Sequence, residues 1–101
     1  MKSKGRGGQL ALLSFIIPVY NEEKTVGAVV DDVLAAPLPE DIDREVIIVD
    51  DGSTDGICRT LDRLAQHPRV RTYFQPRNLG KGAALRRGFA EPHGSIATLD
   101  Q

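Results

Sequence analysis

The stretch Val46-Ile47-Ile48-Val49-Asp50-Asp51-Gly52-Ser53-Thr54-Asp55 runs four β-branched apolar residues straight into two adjacent carboxylates, a glycine and two hydroxyls. A short unbroken apolar run bounded by turn residues is the pattern of a strand buried on both faces, as in a parallel sheet. Two neighbouring carboxylates at its end repel each other. Either they cap a following helix and face water, or they wait for a ligand that needs carboxylates. The local sequence leaves both readings open.

The same grammar repeats on either side. Leu13–Val19 is a second almost continuous apolar run, with Pro18 near its end, where a missing backbone donor costs least. Asn21-Glu22-Glu23 follows, a capping side chain and two carboxylates suited to the positive end of a helix dipole. Val26, Val29, Val30, Val33 and Leu34 then fall at helical spacing, and Pro37 and Pro39 end that helix. The central strand is predicted over Glu45–Val49. Asp55 caps a second helix with the stripe Ile57, Leu61, Leu64 and Ala65, closed by His67-Pro68. Val70–Gln75 alternates more and reads as a third strand nearer an edge. Asn78-Leu79-Gly80-Lys81-Gly82 is a turn. A third helix is expected over Ala83–Ala90 with Leu85 and Phe89 inward, and a fourth strand over Ser95–Leu99.

Alternating strands and helices with short connections predict an α/β fold, Rossmann-like, built on a parallel sheet of about four strands with helices on both faces and right-handed crossovers. Ligands of such sheets bind beyond the carboxyl ends of the strands. The polar clusters collect there: Tyr20-Asn21-Glu22 after the first strand, Asp50-Asp51-Gly52-Ser53 after the second, and Asp100 after the fourth. Asp50 or Asp51 can accept hydrogen bonds from a base or ribose, and Gly52 lets the backbone approach a flat ligand. Lys81, flanked by glycines before a helix, suits a phosphate. It is not a Walker P-loop, because position 75 is Gln and no Ser or Thr follows Lys81. Arg86 and Arg87 read as a solvated face, with phosphate contact as the alternative, and His93 and Cys58 have no partners at metal-ligand spacing.

The bulk numbers narrow the classes. A chain of 101 residues with 41 % apolar and 27 % charged residues holds one small domain or part of a larger one. A formal net charge of -1 gives no electrostatic case for nucleic acid. The single Cys58 excludes an internal disulfide and fits a reducing compartment. Lys2, Lys4 and Arg6 precede an apolar run but no small-residue cleavage pattern follows, and no stretch approaches the roughly 18–20 apolar residues of a membrane span. Residues 1–9 are expected to form a flexible tail ahead of a domain over 10–101, in a cytoplasmic protein.

Together, Ile17-Pro18-Val19-Tyr20-Asn21-Glu22, Val49-Asp50-Asp51-Gly52-Ser53-Thr54-Asp55 and Asn78-Leu79-Gly80-Lys81-Gly82-Ala83-Ala84 resemble the ordered signatures of family 2 inverting glycosyltransferases of the GT-A fold. Their flavour is that of polyprenyl- or dolichol-phosphate mannosyl- and glucosyltransferases. The resemblance covers about residues 13–100. It implies that Pro18, Tyr20, Asn21 and Glu22 line a nucleotide pocket, that Asp51 contacts the base or ribose with Asp50 supporting it, and that Gly80 and Lys81 lie near the phosphates of a nucleotide-sugar such as a UDP- or GDP-sugar. Thr98-Leu99-Asp100 resembles the approach to the family's Asp-x-Asp motif, which makes Asp100 the expected ligand of Mg²⁺ or Mn²⁺.

The sequence departs from that pattern where it ends at Gln101, before a second Asp, and the spacing from Gly94 to Asp100 is about one residue short. The expectation is therefore the donor-binding part of a truncated glycosyltransferase. The catalytic base lies beyond residue 101, the acceptor is a lipid-linked phosphate or a glycan, and the intact protein associates with the cytoplasmic face of a membrane through its C-terminal part. Weak nucleotide binding, no detectable turnover and poor solubility are expected of these residues alone, since the fourth strand becomes an apolar edge. Two rivals stand beside this. One is a non-catalytic nucleotide-binding remnant. The other is a receiver-like phosphorylation domain, which needs its acidic pair after the first strand and a separate Asp after the third. Here those strands end in Tyr20-Asn21 and Gln75-Pro76.

Overall fold

The computed structural model describes residues 11–91 and 94–98. The expected tail at 1–9, the helix break at Pro92-His93, the end of the fourth strand at Leu99 and the metal ligand Asp100 lie outside the described residues. Seven elements alternate along the chain: β1 (Ala11–Val19), α1 (Val26–Ala35), β2 (Ile42–Asp50), α2 (Ile57–Leu64), β3 (Val70–Phe74), α3 (Lys81–Phe89) and β4 (Ser95–Thr98). The four strands form one parallel sheet in the order β3-β2-β1-β4. The α/β parallel sheet expected from the sequence is present, with β3 on an edge. Both apolar strands start earlier than their apolar runs, because Ala11 and Leu12 pair with Ile42 and Asp43 ahead of the hydrophobic centre.

Period-two alternation along the central strands divides the core in two. Ile17 and Val19 of β1 and Val46 and Ile48 of β2 face α1 and α2, joining Val26, Val30, Ile57 and Leu61. Ile16, Ile47 and Val49 face the other way and pack on Ala84 of α3. Full burial of each such aliphatic side chain contributes roughly 1.5–3 kcal/mol. The third helix packs Leu85 on the core as expected, but not Phe89. Phe89 is 45 % exposed, while Ala84 and Gly88 are buried. A Cβ at Gly88 would lie 2.4 Å from Ile16 Cγ2, so small residues set this close helix-to-sheet approach.

The same face of the sheet carries a polar network toward the amino ends of the strands. Ser14 Oγ donates to Glu45 Oε2, Arg71 Nη2 donates to Glu45 Oε1 at 2.8 Å, and Arg71 Nη1 donates to Tyr73 at 2.9 Å. Arg87 stacks over the Tyr73 ring at 4.3 Å. Burial opposes the charge on Arg71, yet the hydrogen bond to Glu45 and the neighbouring charges outweigh it and push its pKa up. Gly94 N–H donates to Ser14 Oγ at 3.1 Å, which ties the entry of β4 to the same cluster.

Topology fixes where a ligand can bind. The β1–β2 and β2–β3 connections place α1 and α2 on one face, whereas the β3–β4 connection carries α3 across the other. The strand order therefore reverses between β1 and β4, and the crevice of such a sheet opens beyond the carboxyl ends at that point. Pro18 lies there. It pairs with Val49, past the Leu13–Ile16 stretch that pairs with β4, so its missing N–H costs little.

Candidate functional site

β2 ends in two carboxylates that alternation sends to opposite faces of the sheet. Asp51 lies on the α3 side and is 4 % exposed. Its Oδ1 accepts the Leu79 N–H and its Oδ2 the Gly80 N–H, both at 2.9 Å, while its own N–H donates to Val19 O. One carboxylate thus pins the 78–80 turn onto the end of the sheet. Charge-assisted bonds of this kind contribute about 1.5–3 kcal/mol each.

Asp50, 3 % exposed, is held differently. Its Oδ2 accepts the Ser53 N–H at 3.1 Å, whereas its buried Oδ1 has no hydrogen-bond partner among the described residues. An unsatisfied buried carboxylate oxygen costs free energy unless something arrives to use it. Gly52 closes the turn between them with φ +74, and a Cβ there would fall 2.2 Å from the Arg77 carbonyl carbon. Only glycine lets the 52 and 77 backbones meet.

The turn after β1 is locked to the turn after β2. Asn21 adopts φ +52, a left-handed conformation that asparagine tolerates better than most residues. Its N–H donates to Ser53 Oγ at 2.8 Å, and its Oδ1 accepts the Thr54 N–H at 2.7 Å and the Asp55 N–H at 3.3 Å. Reciprocally, Glu23 N–H donates to Asp55 Oδ2 and Gly56 N–H to Glu23 Oε1. The expected helix cap at Asn21 is therefore corrected: α1 begins after Thr25, and the Asn21 side chain is engaged across the sheet end instead. Asp55 behaves as expected, since its Oδ1 accepts the Ile57 N–H at 3.1 Å at the start of α2.

Two adjoining clefts open on these turns. The narrower, about 240 Å³, is lined by Pro18, Tyr20, Glu22, Asp51, Gly80 and Lys81, six of the eight residues expected at a nucleotide site, together with Asn78. The wider, about 630 Å³, takes in Asp50 and the rings of Tyr20 and Phe74. Tyr20 and Asn78 belong to both. Asn21 lines neither; it borders a further cleft with Glu22, Glu23 and Asp55.

The wider cleft also contains Phe74 and Arg77, which the sequence reading did not single out, and Cys58, to which it assigned no chemistry. Their signal was the position of Phe74 and Arg77 at the carboxyl end of β3, where the same rule places ligands.

An aromatic-walled cleft with a buried acceptor suits a planar, hydrogen-bond-donating group. A lysine at the first position of α3 suits an anion. No group of three or more His, Cys, Asp or Glu residues able to hold a metal ion occurs among the described residues. Those residues therefore do not by themselves form a metal centre. No described helix is long and apolar enough to cross a membrane.

The chain is similar to known proteins. The sequence model of the family described as "Glycosyl transferase family 2" matches residues 14–99. The chain is 34 % identical over 92 residues to a dolichyl-phosphate beta-glucosyltransferase of Trichomonas vaginalis, covering 85 % of this chain and 27 % of that protein. It is 35 % identical over 95 residues to an undecaprenyl-phosphate 4-deoxy-4-formamido-L-arabinose transferase of Photorhabdus laumondii, covering 91 % and 29 %. Among solved structures, the mannosyltransferase PcManGT of Pyrobaculum calidifontis, in complex with GDP-Man and Mn²⁺, superposes with a TM-score of 0.78 at 28 % identity, covering 87 % of this chain and 26 % of that one. The chain thus spans between a quarter and a third of the length of these relatives.

Proposed function

The chain belongs to glycosyl transferase family 2, and from that membership we propose that it forms the nucleotide-sugar-binding part of an enzyme that transfers a sugar from a UDP- or GDP-sugar to a polyprenyl phosphate with inversion. The observation that carries the proposal is the paired cleft at the sheet's carboxyl end, in which Asp50 shares a wall with Tyr20 and Phe74 and Asp51 faces Lys81. Support for a polyprenyl-phosphate acceptor comes from the names of the relatives, which include a dodecaprenyl-phosphate galacturonate synthase of Rhizobium johnstonii at 36 % identity.

In this reading the base lies in the wider cleft, flanked by the Tyr20 and Phe74 rings, with the Asp50 carboxylate in the wall of the same cleft. Asp51 positions rather than reads. It holds the Gly80–Lys81 turn so that Lys81 and the first turn of α3 meet the diphosphate. This exchanges the emphasis that the family resemblance placed on the two carboxylates. Pro18 and Glu22 complete the narrower cleft next to the sugar. A divalent cation, when bound, neutralises charge on a departing nucleoside diphosphate. Mg²⁺ or Mn²⁺ is proposed because the mannosyltransferase neighbour was solved with Mn²⁺, with Asp100 as the residue of this chain toward it. The proposed location is the cytoplasmic face of a membrane, where a nucleotide-sugar and a lipid phosphate meet.

The test is transfer of labelled sugar from UDP-glucose and GDP-mannose to a polyprenyl phosphate by the protein as its gene encodes it. Solvent-extractable, lipid-linked label is expected from one of the donors and is lost in Asp50→Ala. Nucleotide binding without transfer to any polyprenyl phosphate would favour the non-catalytic reading instead.

A further inference from the structure

Four large hydrophobic side chains are exposed among the described residues: Tyr20, Phe74, Leu79 and Phe89. Tyr20 and Phe74 wall the wider cleft, whereas Leu79 and Phe89, 42 % and 45 % exposed, line neither cleft. The two stand at opposite ends of α3, a helix about 14 Å long. Close packing of Ala84 and Gly88 on the sheet leaves Gly82, Arg86, Phe89 and Ala90 exposed on the outward side of that helix. Arg86 and Phe89, three residues apart, are neighbours there.

Charge on this side is of one sign. From Gln75 to Ala90 the chain carries Arg77, Lys81, Arg86 and Arg87 and no Asp or Glu. Arg87 is engaged by Glu91 and the Tyr73 ring. Arg86 has no ion pair among the described residues. The opposite face of the sheet has the reverse balance, since α1 and the turn before it carry Glu22, Glu23, Asp31 and Asp32 against Lys24.

We propose that the outward side of α3, with Leu79, Arg86 and Phe89, docks on an anionic lipid surface. The two apolar side chains enter the headgroup region, and Arg86, with Arg77 and the first-turn Lys81, meets lipid phosphates. The segregated charge sets the orientation, drawing the α3 face to the bilayer and repelling the α1 face. A nucleic-acid partner would use the cations and leave the aliphatic Leu79 without a role. The proposal rests on the function above only for the membrane location, which it deepens. Lys81 lines the narrower cleft, so docking this side opens the cleft beside the lipid that carries the acceptor phosphate.

The 101 residues contain no tryptophan. Phe89→Trp therefore places a reporter on the face itself, and its difference spectrum against the unsubstituted protein reads contact there, whatever else binds membrane. The probes are vesicles of phosphatidylcholine alone and of phosphatidylcholine with phosphatidylglycerol, each with and without brominated lipid. The anionic vesicles are expected to shift the emission to the blue and, when brominated, to quench it; the neutral ones do neither, and raised salt weakens both effects. Adding Arg86→Gln weakens vesicle partition about five-fold, the scale of one cation near a charged bilayer. Its thermal midpoint and its affinity for UDP and GDP stay at the wild-type values.

Equal quenching by neutral and anionic vesicles, or none by either, overturns the proposal. Emission already shifted to the blue before vesicles are added overturns it too, because another part of the protein then covers this face. An RNA oligonucleotide that acts as the anionic vesicles do would replace the lipid by nucleic acid. Weaker nucleotide binding by Arg86→Gln would assign Arg86 to the donor phosphates instead. Vesicle contact needs no nucleotide, so failure here leaves the proposed sugar transfer standing, and failed transfer leaves the docking result readable.

Discussion

Asp51 holds Gly80 across 29 residues of sequence, its Oδ2 accepting the Gly80 N–H at 2.9 Å while its Oδ1 takes the neighbouring Leu79 N–H. The bond joins the end of β2 to the turn that starts α3, and so sets the distance between the two walls of the narrower cleft. Replacing Asp51 by Ala strands two amides. It is expected to lower the unfolding free energy by about 3–6 kcal/mol, as for two hydrogen bonds to a charged group, and to weaken nucleotide binding through the displaced turn. Urea denaturation measures the first effect. An unchanged midpoint would remove Asp51 from its structural role.

Asp50 is expected to behave in the opposite way. Alanine there removes one bond to Ser53 but also a buried oxygen that has no partner among the described residues. The two effects offset, and stability should stay within about 1 kcal/mol of the wild type. Such a site gives up folding energy for binding. A loss comparable to that of Asp51→Ala would mean that Oδ1 is satisfied in solution.

Gly52→Ala meets both a positive φ and the Arg77 backbone. The strain of a non-glycine residue in that conformation is on the order of 1–3 kcal/mol, before any displacement of the 77–78 segment. A lower thermal midpoint together with weaker nucleotide binding is expected. Wild-type behaviour in both would show that the two turns do not meet as described.

Arg71→Ala removes the Arg71 ion pair of Glu45, which is only 8 % exposed and keeps the Ser14 hydroxyl as a donor. The pair is partly solvated, so the expected loss lies between that of a surface and a buried ion pair, about 2 kcal/mol. Because the cluster sits toward the amino ends of the strands, nucleotide affinity at saturating folded protein should not change. A change in affinity with unchanged stability would contradict this placement.

The strands and the first two helices were legible because their apolar spacing is strong: Val26, Val30 and Val33 are buried where the 3.6-residue period puts them. The third helix was read less well. Its buried positions are Ala84 and Gly88, which carry almost no hydrophobic signal, so Phe89 drew an assignment that close packing on Ile16 does not permit. The candidate site's location was read from the sheet, and its residues from three short motifs; six of those residues line one cleft. What local sequence does not encode is which of two adjacent carboxylates is pinned, since that depends on a turn 28 residues away. Alternation was the available clue: Val49 and Asp51 share the α3 face, and Asp50 does not. The Asn21 bond to the Thr54 N–H is likewise long-range, and nothing in Tyr20-Asn21-Glu22 alone separates it from a helix cap.

The most direct measurement of the central claim is calorimetric titration of the wild-type protein and Asp50→Ala with UDP and GDP. The account predicts that the wild type binds at least one of them and that Asp50→Ala binds it at least about ten-fold more weakly, the scale of one lost hydrogen bond, with its fold intact by circular dichroism. Equal affinity of the two proteins, or no binding of either nucleotide by the wild type, would contradict it.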